Sequence, residues 1–248
     1  EKGIFYMTLY SSLGFDIAIS PESDDDIANT GINYSHSETC FPVKLAHGHG
    51  AFLKKHFRKG KDKFLFVNVL SSEDKRYKFC PYVAGAGFMV KDALDINNKD
   101  ALLPVIYFKN THYKLEEFIK KDLDRVFGER FSLEQVKEAV KKAEKAEKEL
   151  LDEIYTTGEK LVLDLKEKGE KIFIGVGRGY TILDDKASSK VHELFASYGL
   201  HFIPGFFLRT PNYDISDISH NMYWYQGRSM IRYNLMTAMD QSLYPVRE

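Results

Sequence analysis

The two cysteines are the residues of this chain best suited to bind a metal or to act as a nucleophile. Cys40 lies two residues before Pro42 and Cys80 directly before Pro81, so each stands where proline favours the start of a helix. Backbone N–H groups and the helix dipole at such a position stabilise a thiolate. Metal or cluster ligation is the leading interpretation. The alternatives are an inert buried pair, a nucleophile at Cys40, and a disulfide.

Three histidines near Cys40, namely His36, His47 and His49, are weaker candidates, as a base for a cysteine nucleophile or as ligands. On a helix that starts at Pro42, His47 and His49 point about 200° apart, so they cannot share one site. Their spacing also differs from the i,i+4 pair of a helical zinc site, and we interpret them as packing or partly exposed residues. Lys44, one turn after Cys40, is a candidate to offset thiolate charge.

The composition excludes several classes of protein. With 35 Lys and Arg against 36 Asp and Glu, the formal net charge is −1, which gives no support to nucleic-acid binding. No apolar run approaches the roughly 20 residues that cross a bilayer, and the N-terminus has no signal-peptide pattern. We therefore expect a cytoplasmic protein with no membrane contact, in which the two cysteines are thiols or metal ligands.

The first third of the chain has the pattern of alternating short strands and helices. A helix is predicted at 21–31 with Gly31 as its C-cap, and a second at 42–57. The apolar or β-branched runs predicted as strands are residues 15–20, 32–37, 63–70 and 102–108.

The rest of the chain has a helical stretch followed by a second α/β pattern. Ser132, with Glu134 or Gln135 nearby, predicts the start of a long amphipathic helix. The later predicted elements are strands at 171–177 and 200–205 and helices at 184–199 and 220–240. We predict an α/β fold with two doubly wound lobes of flavodoxin or Rossmann type, each with a parallel sheet, joined by a helical segment. The predicted divisions are 1–111, 112–170 and 171–248.

The chain lacks two common nucleotide-binding motifs. The segment GVGRGY at 175–180 lacks the third glycine of the dinucleotide fingerprint, because Tyr180 stands there. No Walker-type G-x-x-x-x-G-K-[ST] sequence is present. We expect neither a nicotinamide site nor an ATP site in this chain.

Several segments together resemble a known family. The segments SETCFPVK at 37–44, FCPYV at 79–83, GRGYTILD at 177–184 and NMYWYQGRSMIR at 221–232 occur in the same order in activase-related proteins of the 2-hydroxyacyl-CoA dehydratase system. The similarity covers most of the chain, and the segment around Cys40 is its most specific part.

The resemblance implies an iron–sulfur protein with a 4Fe-4S-type cluster, used in ATP-driven, low-potential electron transfer or reductive activation. Cys40 and Cys80 would be the cluster ligands, and Arg178 and Tyr180 would match a Gly-Arg-Pro-Tyr loop that lines the cleft between the lobes. The family supplies a further cysteine after the position of Val246, which implies that the second lobe is incomplete. The implied partners are an ATPase activase domain or chain and a second copy of the chain. A scaffold with a degenerate site and a thiol enzyme using Cys40 remain the alternatives.

Overall fold

The chain forms two compact units in the computed structural model, and both contain helices and parallel strands, which confirms the α/β class. The units are Glu1–Glu147 and Lys148–Glu248, so the boundary falls within a long helix. The finer division into two doubly wound lobes and a helical segment stays a prediction. The structure describes residues 2–66, 68–71, 78–107 and 114–247.

Helices provide most of the ordered structure of the first unit. In chain order they are α1 (Gly3–Ser12), α2 (Asp25–Tyr34), α3 (Phe41–His56), α4 (Pro81–Ala93), α5 (Leu115–Phe127) and α6 (Leu133–Glu167), the last of which continues into the second unit. Capping side chains fix the N-termini of α2 and α6. Asp24 accepts a hydrogen bond from the Ile27 N–H at 2.8 Å, and Ser132 and Gln135 form a reciprocal capping box.

Short parallel strands follow α3 and α4. They are β1 (Phe64–Leu65), β2 (Asn68–Ser71), β3 (Ala101–Leu102) and β4 (Val105–Tyr107), and they pair as β1 with β3 and β2 with β4. The strands predicted at 63–70 and 102–108 are therefore present, each as two short pieces. Val67 and Phe108, within those two predicted strands, lie outside the described residues.

Side chains of β1 and β3 alternate between two apolar clusters. Phe64 and Ala101 pack with Val90 and Leu94 of α4 and with partly buried residues of α3. Their neighbours Leu65 and Leu102 face the opposite way, into a cluster formed with α1, α5 and the start of α6. Because successive side chains of a strand point to opposite faces, helices cover both sides of this strand pair.

Two strands predicted in the first third of the chain are wrong. Residues 15–20 have no regular structure, and Ile17 and Ile19 in this segment are exposed. Residues 32–34 form the last turn of α2 rather than a strand. Gly31 is also not a C-cap, because α2 continues to Tyr34. The helical spacing of the buried residues Ile27, Ala28 and Gly31 outweighs the β-branched character of the segment.

The second unit is built around a three-stranded parallel sheet of order β6-β5-β7. Ile172, Ile174 and Val176 of β5 are buried in a cluster with Val162 and Leu165 of α6. The elements of this unit after α6 are β5 (Ile172–Val176), α7 (Gly179–Ile182), α8 (Val191–Ser197), β6 (His201–Pro204), α9 (Ser216–Ser219), α10 (Tyr225–Ala238) and β7 (Leu243–Arg247).

Both helices predicted in the second unit are shorter than expected. The helix predicted at 184–199 is reduced to α8, because Asp184 accepts hydrogen bonds from the next turn and Ser189 and Lys190 have positive φ angles of 50° and 57°. The helix predicted at 220–240 begins only at Tyr225. Strand β7, which contains Pro245, was not predicted. It is at the edge of the sheet, where proline is tolerated.

Among the described residues, every helix is either too short or too polar to cross a membrane.

Candidate metal centre

Cys40 is the N-cap residue of α3. Its carbonyl oxygen accepts hydrogen bonds from the N–H groups of Val43 and Lys44, at 3.0 and 3.2 Å, which start the helix. Pro42 occupies the first turn with its φ already fixed near the helical value, as the sequence predicts. The preceding residues form a short turn instead of the predicted strand, and the Cys40 residue is exposed.

Cys80 has the same position in α4. It is the N-cap, Pro81 follows it, and its carbonyl oxygen accepts hydrogen bonds of 2.9 Å from the N–H groups of Val83 and Ala84. Cys80 is half-buried, and both cysteines are free thiols. A disulfide between Cys40 and Cys80, one of the alternatives, is therefore not formed in the structure. The repeated cysteine and proline arrangement marks two helix starts, as predicted.

The two helices that begin at these cysteines pack against each other and run in the same direction. A Cβ atom on Gly50 of α3 would lie 2.5 Å from the Val90 side chain of α4, and the Lys54 ammonium donates to the Leu94 carbonyl oxygen at 2.5 Å. Gly50 of α3 is therefore beside Val90 of α4, and Lys54, four residues later, is beside Leu94, also four residues later. This order indicates that the two helices run in the same direction. Cys40 lies ten residues before Gly50 and Cys80 ten residues before Val90. Both thiols are therefore at one end of the helix pair, about 15 Å along each axis from this contact.

The helix N-termini favour negative charge at both cysteines. Neither cysteine side chain makes a capping hydrogen bond to the described residues of its helix. Proline has no N–H group, so the nearest backbone donors after the cysteines are Phe41 in α3 and Tyr82 in α4. The free N–H groups at a helix N-terminus suit a thiolate that binds a metal, and they suit equally a thiolate that acts as a nucleophile.

The turn before Cys40 is held by its own polar groups. The ammonium of Lys44 donates to the carbonyl oxygen of Ser37 at 2.9 Å, which ties the first turn of α3 to this segment. The Thr39 hydroxyl donates to the carbonyl oxygen of His36, and the Glu38 N–H donates to His36 Nδ1 at 3.2 Å. Lys44 therefore brings a positive charge next to the turn that carries Cys40, while its role in a cluster site stays a prediction.

Two of the histidines of α3, His47 and His49, have packing roles. His47 is only 3% exposed, and its Nδ1 is 2.8 Å from the carbonyl oxygen of Val43, one turn earlier. His49 Nε2 lies 2.9 Å from the Ser23 hydroxyl. The structure thus assigns both histidines to the support of the helix layer.

Three glycines hold α3 in place: Gly31, which the sequence analysis had interpreted as a C-cap, and Gly48 and Gly50, which it did not use. A Cβ on Gly31 of α2 would clash with the Lys44 carbonyl oxygen, and one on Gly48 would clash with the Ile27 carbonyl oxygen. Gly48 thus faces α2 while Gly50, two residues on, faces α4. The pattern of two glycines on opposite faces of one helix is the signal that indicates close packing on both sides.

Arg178 and Tyr180 contact each other in the second unit. Arg178 is the N-cap residue of α7, two residues after the end of β5, and its Nη1 donates to the Tyr180 hydroxyl at 2.8 Å. The guanidinium carbon also lies 6.0 Å from the centre of the Tyr180 ring. These contacts describe a well-defined turn at the carboxyl end of β5. The part of this pair in a cluster site stays a prediction.

A second set of potential ligand atoms occurs in the same unit and was not predicted. One ligand atom each from Asp185, His192 and Glu193 lie within 4.8 Å of one another, on the surface. The Lys190 ammonium is 3.0 Å from a Glu193 carboxylate oxygen, so a cation is already paired with this group. Exposed clusters of this kind are ordinary ion pairs.

The donor set at the cysteines fits half of a cluster site. The whole chain contains two cysteines, both at the same end of the α3 and α4 pair, whereas a cubane cluster usually takes four cysteine ligands. Softness and charge of the two thiolates suit iron, and their number requires further ligands from outside this pair. The structure thus shows an α/β protein with free cysteines at the starts of two packed helices, and their role as metal ligands stays a prediction.

Comparison with known families assigns this chain to one of them. Residues 1–206 match the family described as the CoA enzyme activase uncharacterised domain, which includes both cysteines and the Arg178 and Tyr180 turn. The chain belongs to this family, in agreement with the resemblance found from its motifs. No curated protein and no solved structure gave a match to the chain.

Proposed function

We propose that this chain is an iron–sulfur protein of the CoA enzyme activase machinery, in which Cys40 and Cys80 are ligands of a 4Fe-4S-type cluster. The observation that carries the proposal is that both cysteines cap parallel, packed helices at the same end. The family assignment supports an activase-related role. The proposed role is low-potential electron transfer or reductive activation of a partner enzyme.

When bound, the cluster would supply one-electron chemistry. The residues of the chain would set the conditions for it. The dipoles of α3 and α4 direct their positive ends toward the two thiolates, which stabilises the charge of the reduced state. The Lys44 ammonium, held on the Ser37 carbonyl oxygen, adds a positive charge beside the turn that carries Cys40. Both effects raise a reduction potential relative to the same ligands without them.

ATP hydrolysis is assigned to a partner in this proposal. The chain has no Walker-type phosphate loop, and the family description names an activase. We propose that an ATPase activase domain or chain drives electron transfer through the cluster. Cys40 and Cys80 would hold the cluster through which the electrons pass.

The test is the measurement of iron, acid-labile sulfide and the absorption spectrum after anaerobic reconstitution. We expect iron and sulfide in a fixed ratio to protein, and loss of both in Cys40→Ser and in Cys80→Ser. Ser37→Ala is the matched control, because it changes a side chain in the same turn and leaves the carbonyl oxygen that binds Lys44. Lys44→Met should keep the cluster and lower its reduction potential.

The alternatives give different results in the same experiment. A thiol enzyme would bind no iron, and its Cys40 would be alkylated at neutral pH much faster than Cys80. A scaffold with a degenerate site would bind no iron and show slow alkylation at both positions. Either result would remove the proposal of an iron–sulfur protein.

A further inference from the structure

The turn that carries Cys40 connects α2 to α3, and these two helices pack closely against each other. Residues 35–40 form the whole connection between them. Because Cys40 is the last residue of this connection, the position of its thiol depends on how the preceding residues are held.

His36 accepts three hydrogen bonds from the two residues that directly precede Cys40. Its carbonyl oxygen accepts one from the Thr39 N–H at 3.1 Å and another from the Thr39 hydroxyl. Its ring Nδ1 accepts a hydrogen bond from the Glu38 N–H at 3.2 Å. The ring bond has the pattern of an Asx turn, in which a side-chain acceptor binds the N–H two residues later. One residue thus holds the backbone of both Glu38 and Thr39.

The backbone of Cys40 is fixed on both of its sides. Thr39, which precedes it, is buried and is hydrogen-bonded to His36. The carbonyl oxygen of Cys40 itself accepts the first hydrogen bonds of α3. With φ of −64° and ψ of 151°, the direction of the Cα–Cβ bond is set, and the thiol can move only by rotation about that bond. A side chain that binds a metal needs this kind of support from the groups around it.

The ring bond also decides between two roles for His36. A neutral imidazole has one donor nitrogen and one acceptor nitrogen. Because Nδ1 accepts the Glu38 N–H, the proton of the neutral ring is on Nε2, and neither nitrogen has a free lone pair for the proton of Cys40. The geometry therefore favours a residue that holds the turn over a general base.

We propose that His36 is a positioning residue: it holds the turn before Cys40 and thereby fixes the Cys40 thiol at the N-terminus of α3 for metal binding. The metal-binding part of this inference rests on the proposed function. Cys80 gives an internal comparison, because no histidine occurs among the four residues before it. A change at His36 should therefore affect Cys40 and leave Cys80 unaffected.

Three variants of the full chain test this role, each with its folding checked by circular dichroism. His36→Asn keeps an acceptor at nearly the position of Nδ1, and asparagine commonly forms such a turn. His36→Ala removes the ring acceptor. His56→Ala is the matched control, because His56 is also exposed and its Nδ1 is 2.9 Å from the Phe52 carbonyl oxygen, at the other end of α3.

The first measurement uses the metal-free chain. The rate of alkylation by iodoacetamide is followed separately at Cys40 and Cys80 by mass spectrometry of peptides. We expect His36→Ala to slow the reaction of Cys40 about fivefold, the factor that corresponds to one ordinary hydrogen bond, because a loosened turn lets the thiol leave the N–H groups that stabilise the thiolate. The other two variants should react at Cys40 as wild type does, and Cys80 should react equally in all of them.

A spectroscopic measurement on the same metal-free chain tests the ring directly. A long-range proton–nitrogen NMR spectrum at a pH of about 8, where an imidazole is neutral, should show the proton of His36 on Nε2. A proton on Nδ1 would contradict the hydrogen bond from Glu38 and would overturn the positioning role.

The last measurement follows the loss of iron to a chelator after anaerobic reconstitution. We expect His36→Ala to lose iron about fivefold faster than wild type, and His36→Asn and His56→Ala to lose it at the wild-type rate. Iron uptake in every variant with equal rates of loss would retain the cluster and overturn the role of His36 in holding it.

The alkylation results separate this inference from the function on which it rests. Equal slowing at Cys40 in His36→Ala and His36→Asn would show that His36 acts as a base, and an unchanged rate in His36→Ala would show that it does not hold the thiol. Either result would overturn the proposal. A chain that binds no iron, with Cys40 slowed in His36→Ala alone, would remove the cluster and retain His36 as the residue that positions the thiol.

Discussion

Gly48 of α3 and Ile27 of α2 are in backbone contact, since a Cβ atom on Gly48 would overlap with the Ile27 carbonyl oxygen. Gly31 of α2 has the reciprocal relationship with Lys44 of α3. The two glycines therefore fix the distance between the helices at the point from which α3 extends to Cys40. A change in this distance would displace the turn that carries the cysteine.

Gly48→Ala is expected to destabilise the protein. Its new methyl group meets backbone, which does not rotate away, so the helices must separate; overpacking of this kind costs about 1–3 kcal/mol. Thermal unfolding followed by circular dichroism measures the effect. Gly85→Ala in α4 is the matched control, because nothing lies within 4 Å of its added Cβ. That variant should gain about 0.5–1 kcal/mol from helix propensity. Similar shifts in both variants would contradict the close contact.

The ion pair between Lys166 and Asp240 makes the stability of the second unit depend on pH in the acid range. A hydrogen bond from Lys166, and to a smaller extent one from Ser242, lowers the pKa of Asp240 below its ordinary value. A lowered pKa contributes stability that is present above the unfolded value of about 3.9 and is lost as pH falls through the folded value.

Asp240→Asn should therefore lower the free energy of unfolding by about 0.5–1 kcal/mol at neutral pH, since the pair is only partly buried. The difference from wild type should diminish as pH falls below the unfolded value of about 3.9 and through the lowered folded value, because the carboxyl group is then protonated and loses its charge. Urea unfolding at several pH values measures this. Asp164→Asn, at an exposed position on α6, is the control. A difference that persists in acid would show that the effect is not electrostatic.

Two buried phenols of α1 make the first unit sensitive to alkali. The hydroxyl groups of Tyr6 and Tyr10 have no hydrogen-bond partner among the described residues. Burial raises the pKa of both phenols, and the nearby carboxylates of Glu147, for Tyr6, and Asp122, for Tyr10, raise it further. A raised pKa contributes stability that is complete below the unfolded value of about 10 and is lost as pH rises above it.

The Tyr6→Phe and Tyr10→Phe double variant is expected to be at least as stable as wild type at neutral pH, because it removes two buried hydroxyls for which the described part of the chain offers no hydrogen-bond partner. Above a pH of about 10 it should lose less stability than wild type. Urea unfolding at neutral and alkaline pH measures both effects. Tyr198→Phe is the control, since this phenol is exposed. A marked loss of stability at neutral pH would mean that ordered water binds the two hydroxyls.

Local signals in the sequence were sufficient for elements whose ends are chemically marked. Pro42 predicted a helix at 42–57, and α3 spans Phe41–His56. The Ser132 cap predicted the start of α6, which the capping box with Gln135 confirms. The apolar run at 171–177 became β5, at the centre of its sheet. Each of these signals acts through nearest neighbours in the chain.

The failed predictions are those in which a short apolar run had two possible structures. Residues 15–20 alternate like a strand, yet no neighbouring strand pairs with them in the described structure. Ile32 is β-branched, yet it continues α2. A strand requires a partner for its backbone hydrogen bonds, and such a partner is not visible from the segment alone.

The sequence by itself determined the α/β class, the family, and the positions of Cys40 and Cys80 at two helix starts, because proline and the N-cap act within a few residues. Only the tertiary structure decided that these starts lie at the same end of parallel helices. That relationship depends on contacts between residues far apart in the chain, such as Gly48 with Ile27 and Gly50 with Val90. Packing at that separation is set by the shapes of whole helices, and local sequence signals do not encode it.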